Sequence, residues 1–276
     1  MNFALLGGDD RTVRLCALLR ADGHRVRPFA LERALPDCTE CAAEALDKAD
    51  CAILPLPAGR DGALNAPYSS QCHAFGELLE SAPRGLTVCA GKAEEELRSV
   101  CRRRGLALRD YFLREDFTLN NAELTAEGAL GLLLAGERAL RGSRVLVVGF
   151  GRIGRRLCAK LLPLGVQVTA AARGSADRTL AELWGCRAIR PEEASSEHWD
   201  AVVNTVPATL FGAAELADFG DARLIELASP PYGFDPAAAA ALGKPIVLAS
   251  GLPGKTAPVS AAAAIRDTIY AMMEEG

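Results

Sequence analysis

The sequence predicts an α/β fold: two doubly wound domains, each a parallel sheet flanked by helices, with an interdomain cleft. Three observations carry that expectation. Short apolar runs alternate with helical patterns along most of the 276 residues, as parallel sheets with crossover helices require. An Ala- and Leu-rich stretch at residues 122–140 separates two halves of similar outline. Finally, Asp50-Cys51-Ala52-Ile53-Leu54-Pro55 in the first half parallels Asp200-Ala201-Val202-Val203-Asn204-Thr205-Val206-Pro207 in the second, each an apolar strand that leaves its sheet at a proline. Proline at a strand's exit suits a loop over the carboxyl edge, where open α/β sheets place ligands.

In the first half, strands are expected at residues 3–6, 25–28, 51–54, 86–89 and 106–108, with helices at 11–21 and 94–104. The 122–140 stretch reads as one long helix, with Asn120, Asn121 and Thr125 as capping candidates on its N-terminal side and Gly142-Ser143 as its stop. Second-half strands fall at 144–148, 166–170, 201–204, 223–226 and 246–248. The last stretch puts Ile265, Ile269 and Met272 on one face and predicts a terminal helix, whose attachment the pattern leaves open. The expected domains are residues 1–120, with or without the helix of residues 256–276, and residues 121–255.

Half of the residues are apolar, and 31 basic against 35 acidic side chains leave a formal charge of −4, which excludes a broad electrostatic nucleic-acid binder. No apolar run approaches the ~18 residues of a membrane span, so no membrane association is expected. The opening Met1-Asn2-Phe3-Ala4-Leu5-Leu6-Gly7-Gly8 reads as a first strand rather than a leader, and a soluble cytoplasmic chain is expected. The nine cysteines, an odd set without paired spacing, read as reduced thiols, most of them small hydrophobes within apolar runs. Cys38-Thr39-Glu40-Cys41 has no second ligand pair and only His24, His73 and His198 to assist it, so it reads as a surface loop and no metal site is expected.

The chemistry concentrates at Arg144-Val145-Leu146-Val147-Val148-Gly149-Phe150-Gly151-Arg152-Ile153-Gly154. A Gly-x-Gly-x-x-Gly turn between an apolar strand and an amphipathic helix, with Ile153, Leu157 and Leu161 on one side, is the dinucleotide fingerprint of a Rossmann-like domain in its full context. Gly149 permits the tight turn, Gly151 lets backbone N–H groups approach a pyrophosphate, and Gly154 allows close helix–strand packing. Arg152 and Ile153 open the helix whose N-terminus favours an anion. NAD-specific folds place Asp or Glu about 20 residues further on to hold the ribose hydroxyls. Here Val166-Gln167-Val168-Thr169-Ala170-Ala171-Ala172 runs into Arg173-Gly174-Ser175 without a carboxylate. Arg173 is suited to a 2′-phosphate and Ser175 to donate to it, with Arg178 in support, so NADP is the expected cofactor and NAD the alternative. The plain alternative for Arg173 is a solvated arginine. Thr205, Val206 and Pro207 lie where backbone contacts ribose and nicotinamide. Ala228-Ser229-Pro230-Pro231 and Ser250-Gly251-Leu252-Pro253-Gly254-Lys255 are loops expected beside the nicotinamide, Pro253 and Gly254 being equally readable as turn residues.

As an ordered set, several motifs resemble the family of dipicolinate synthase A subunits over nearly the whole chain. They are Gly7-Gly8-Asp9-Asp10-Arg11, Ile53-Leu54-Pro55 with Asp61-Gly62, and Asn121 with Thr125-Ala126-Glu127-Gly128. The set continues with the glycine turn, Ala172-Arg173, Asn204-Thr205-Val206-Pro207, Leu227-Ala228-Ser229, and Gly251-Leu252-Pro253-Gly254 with Ala257-Pro258. The resemblance implies oxidation of a dihydrodipicolinate, formed from 4-hydroxytetrahydrodipicolinate, to pyridine-2,6-dicarboxylate. It further implies NAD(P)⁺ as acceptor, the flavoprotein-like B subunit of dipicolinate synthase as partner, and the mother-cell cytosol of a sporulating bacterium as the setting. One loop departs from the family pattern: after Ala228-Ser229, where glycine-rich basic residues are expected, stands Pro230-Pro231-Tyr232-Gly233.

A dianionic substrate needs donors, and Arg11, Asn121, Thr125, Ser229 and Lys255 are the candidates. Arg11 is equally suited to pair with Asp9, and Lys255 to cap the last helix. Glu127 is a candidate proton acceptor or a structural helix residue; Asn121 and Thr125, four apart, share a helix face. A 2-hydroxyacid dehydrogenase needs a histidine late in the chain, and none follows His198. A shikimate-dehydrogenase-type enzyme needs a Lys–Asp pair in the first domain, for which Lys48 and Lys92 are poorly placed. A regulatory or scaffolding protein that binds nucleotide without catalysis of its own is the alternative from another class. Homo-oligomerisation is not legible.

Overall fold

In the computed structural model, which describes residues 1–136 and 139–275, the first half of the chain runs β1 (Asn2–Leu6), α1 (Asp10–Ala21), β2 (Arg25–Phe29), α2 (Ala42–Leu46), β3 (Cys51–Ile53), β4 (Gly59–Arg60), β5 (Ala63–Leu64), α3 (Phe75–Leu78), β6 (Thr87–Ala90), α4 (Glu95–Arg104) and β7 (Ala107–Asp110). The long helix α5 (Glu115–Leu134) leads into β8 (Arg144–Val148), α6 (Arg152–Leu161), β9 (Gln167–Ala171), α7 (Ser175–Leu183), β10 (Arg187–Ile189), β11 (Ala201–Asn204), α8 (Ala213–Asp218), β12 (Arg223–Glu226), α9 (Pro236–Ala241) and β13 (Ile246–Leu248). Helices α10 (Leu252–Thr256) and α11 (Pro258–Glu274) close the chain. Contacts divide it into two units, Met1–Asn121 with the segment from Ala257 onward, and Ala122–Thr256.

Unit one holds a five-stranded sheet in the order β2-β1-β3-β6-β7, all parallel, with the small antiparallel β4–β5 pair apart from it. Unit two holds a six-stranded parallel sheet in the order β10-β9-β8-β11-β12-β13. Counted within each unit these are the two common doubly wound orders, flavodoxin-like and Rossmann, and in both the order reverses beside the first strand. The alternation of side chains builds a core on each face. Ala4 and Leu6 of β1 face one cluster with Phe75, Leu78 and Leu97, while Phe3 and Leu5 face the other with Leu15, Ile265 and Ile269. In unit two, Val145 and Val147 face the side of α5 and α6, and Leu146 and Val148 face Trp199, Phe211 and Phe219. Pro28 lies within β2, the edge strand beside β1, which so tolerates a residue without an N–H.

Strands 144–148, 201–204, 223–226 and 246–248 form as the sequence predicts. The expected helix at 122–140 is displaced: α5 starts at Glu115, with Glu115 and Asp116 supplying negative charge to its first turn, and ends at Leu134. Asn120, Asn121 and Thr125 therefore lie inside α5 and do not cap it, and Gly142-Ser143 does not stop it. Residues 137 and 138 of the expected span lie outside the described residues. The expected loop at 250–255 contains α10. Strand β10 and the β4–β5 pair, two or three residues long, are too short to show a period. The terminal helix α11 joins unit one, where Ile265, Ile269 and Met272 are buried with Leu15 and Leu19 of α1.

Candidate nucleotide-binding site

At the point in unit two where strand order reverses, β8 and β11 run side by side and their exits meet. The backbone at Gly149 has φ +93°, and a Cβ there would lie 2.5 Å from Thr205 Oγ1 and 2.7 Å from Val206 Cγ2. Only glycine combines that conformation with that proximity. Gly154 is buried, and its Cβ would stand 1.9 Å from the Gly149 carbonyl, so α6 packs onto the turn itself. Gly151, the N-cap of α6, differs: it is exposed, and no protein atom lies within 4 Å of where a Cβ would be. A glycine that the protein does not require for its own packing, ahead of the N–H groups that open a helix, fits a turn that leaves room for a pyrophosphate. Arg152 is exposed in the first turn and Ile153 packs against the core.

The loops around this turn are braced from within. Thr205 donates from both N (2.9 Å) and Oγ1 (2.8 Å) to the Val148 carbonyl. Arg155 donates to the Phe150 carbonyl at 2.9 Å, lies over the Phe150 ring, and pairs with Asp177 at 2.8 Å. Beyond β9, Arg173 and Ser175 are exposed. Arg178 spends one guanidinium nitrogen on the carbonyls of Ala172 (2.8 Å) and Arg173 (2.6 Å), so it shapes the loop that carries Arg173. Asp177 is the nearest acid to this strand end in sequence; its Arg155 pairing and its place on α7 distinguish it from a carboxylate at the end of β9 itself.

The remaining candidates lie on different elements of the two units. Arg11 is buried; its Nε donates to Asp9 Oδ1 at 3.0 Å, one Nη donates to Asp9 Oδ2 at 2.7 Å, and the same Nη binds the Leu56 carbonyl. Asp9 also caps α1 through the Arg11 N–H. Of the two alternatives for Arg11, the structure thus displays the pairing with Asp9, at the strand-order reversal of unit one. Thr125 is buried and Asn121 half-buried in α5. Glu127, on the same helix, is exposed and 3.3 Å from Lys160 of α6, which also holds Glu123 at 2.5 Å. Ser229 and Pro207 are exposed, and Lys255 is exposed in the last turn of α10. Cys38 Sγ accepts from the Leu31 N–H at 3.4 Å, and Cys41 is exposed ahead of α2.

One residue of this region escaped the sequence reading. Glu226, the last residue of β12, is fully buried and accepts from Asn204 Nδ2 (2.6 Å), Ala228 N (2.9 Å), Gly233 N (2.9 Å) and Phe234 N (3.2 Å). Burial pushes its carboxyl above the usual range, and these donors offset only part of that rise. The signal was a carboxylate inside the otherwise apolar run Leu224-Ile225-Glu226-Leu227-Ala228.

Each unit resembles a known family over much of its length. Residues 2–112 match the family described as the N-terminal domain of the dipicolinate synthase A subunit. Residues 130–225 match the NAD-binding domain of D-isomer-specific 2-hydroxyacid dehydrogenases. The dipicolinate synthase A subunit of Bacillus subtilis (strain 168) is 26% identical over an alignment covering 100% of this chain and 96% of the relative. The chain resembles that protein from end to end. Two crystal structures of such A subunits superpose on it with 24% identity: the Bacillus halodurans protein with a TM-score of 0.84, over 98% of this chain and 96% of that one, and the Bacillus subtilis protein with 0.83, over 99% and 95%. Salmonella D-lactate dehydrogenase shares the fold more distantly, with a TM-score of 0.67 at 14% identity over 99% of this chain and 97% of that one. The whole-length resemblance and the NAD-binding domain make the chain an NAD(P)-dependent oxidoreductase with a pyridine-nucleotide site in unit two. Among the described residues no helix is long and apolar enough to cross a membrane.

Proposed function

We propose that this chain is the nucleotide-binding component of a dipicolinate synthase, oxidising a dihydrodipicolinate derived from 4-hydroxytetrahydrodipicolinate to dipicolinate with NADP⁺ as acceptor and the synthase's B subunit as partner. The observation that carries the nucleotide part is the exposed Gly151 turn with exposed Arg173 and Ser175 beyond the neighbouring strand, whose own end carries no carboxylate, Asp177 of α7 being paired with Arg155. The whole-length likeness to a dipicolinate synthase component supports the substrate class.

A bound nicotinamide would supply the hydride acceptor for oxidation of the dihydropyridine ring, whose aromatisation would also release one proton. The chain's part is to hold the reactants. The N–H groups that begin α6 would hold the pyrophosphate, Arg173 and Ser175 would take the 2′-phosphate, and the 205–207 and 228–234 loops would position the nicotinamide. Ser229 and Lys255, exposed on segments that follow β12 and β13, are the donors in unit two for a substrate carboxylate, and Thr125 and Asn121 are further candidates on α5. Arg11, closed onto Asp9 and Leu56, serves best by shaping its own loop.

The purified chain, alone and then with the B subunit, is incubated with NADP⁺ and freshly formed dihydrodipicolinate while dipicolinate absorbance is followed. Product from the chain alone, or only after the B subunit is added, supports the reading, the second case assigning a missing group to the partner. Absence of product from both preparations, with each protein folded, overturns it.

A further inference from the structure

A buried carboxylate is costly unless every lone pair is used, and Glu226 uses both oxygens twice. Oε1 takes Asn204 Nδ2 and the Ala228 N–H, while Oε2 takes the N–H groups of Gly233 and Phe234. Asn204 carries the link onward, donating to the Val206 carbonyl at 2.9 Å and accepting from the Val206 N–H at 3.1 Å. Gly233 lies directly on that amide: a Cβ there would meet Asn204 Nδ2 at 2.3 Å. The Gly233 carbonyl then accepts from Leu210 N (2.9 Å) and Phe211 N (3.0 Å). Through one side chain, the loop after β12 is tied to the turn after β11, whose Thr205 and Val206 crowd Gly149.

We propose that Glu226 is a positioning residue: its buried carboxylate clamps residues 228–234 onto the Asn204–Val206 turn and so fixes the nicotinamide side of the nucleotide site. The inference rests on the nucleotide reading above. Four N–H donors converge on two oxygens, so the site accepts an ionised carboxylate and nothing else of that shape. An amide would turn both hydrogens of its NH2 group, and a protonated acid its single hydrogen, against donors. A purely apolar side chain would satisfy the strand, which is already flanked by buried Ile225 and Leu227, but would leave the loop amides without acceptors. The fixed loops are those beside the nicotinamide; the adenosine end is held by the α6 N-terminus and Arg173, which Glu226 does not touch.

The test separates the two ends of the ligand. Wild type and Glu226→Gln are titrated with NADPH and with adenosine 2′,5′-bisphosphate, which carries the adenosine end alone. NADPH affinity is expected to fall about tenfold or more, as for loss of a charge-assisted hydrogen bond, with adenosine 2′,5′-bisphosphate affinity kept. Unchanged NADPH affinity, or equal loss of both ligands, overturns the inference. If Glu226→Gln fails to fold, Asn204→Ser decides by the same two titrations, because it removes one donor and leaves three backbone partners on the carboxylate. Failure of the wild type to bind either compound counts instead against the nucleotide reading itself.

Discussion

At the scale of single residues, three glycines of one turn have three different jobs, and their mutants should separate accordingly. Gly149 and Gly154 are held by contacts within the protein, whereas the space beside Gly151 is open. Gly151→Val should therefore fold with a melting temperature near that of the wild type yet lose nucleotide binding in calorimetry; retained binding would remove the turn from the site. Arg173→Ala should weaken NADP⁺ by about tenfold to a hundredfold, the ~1.5–3 kcal/mol of a charged hydrogen bond, and NAD⁺ by far less. Equal weakening of the two nucleotides would take the 2′-phosphate away from Arg173. The glycine turn was readable from spacing because its demands are local. Arg178 was grouped with Arg173 in the sequence, but hydrogen bonds to the carbonyls before and at Arg173 make it a brace, a role visible only once the loop is closed.

At the scale of elements, strands were more legible than helix ends. Strands such as Val145-Leu146-Val147-Val148 are apolar on both faces because helices cover both, and such runs stand out against polar loops. The long helix was harder to place because Ala and Leu mark its C-terminal part, while its start is set by Glu115 and Asp116. Acidic clasps elsewhere make the fold sensitive to pH. Glu197 joins strands β8 and β10, 2.6 Å from Arg144 and 2.7 Å from Arg187, and the arginines hold its carboxyl below the usual range. A carboxylate with a lowered folded value stabilises the fold fully above its unfolded value, and that contribution is lost as pH falls through the folded one. Glu197→Gln should thus cost about 1 kcal/mol in urea unfolding at neutral pH. The gap to the wild type should close in acid, and a gap that persists there would refute the assignment.

At the scale of the whole molecule, two units each carry a sheet with a core on both faces, and the nucleotide turn belongs to one of them. A ligand stabilises the state that binds it. NADP⁺ at 100 times its dissociation constant should thus add about 2.7 kcal/mol to the opening of unit two. In hydrogen exchange this should appear as slower exchange of β8, β11 and β12 amides under saturating NADP⁺. No added protection in those strands would place the nucleotide elsewhere.

By itself the sequence determined the α/β class, the glycine turn and the lack of a carboxylate at the very end of β9, because periodicity and backbone demand act over a few neighbouring residues. Tertiary structure alone decided that α11 returns to unit one, that Arg11 closes on Asp9 and Leu56, and that Glu226 gathers four donors. Each of these depends on which distant segments the folded sheets bring within hydrogen-bonding or packing distance, and no local spacing records that.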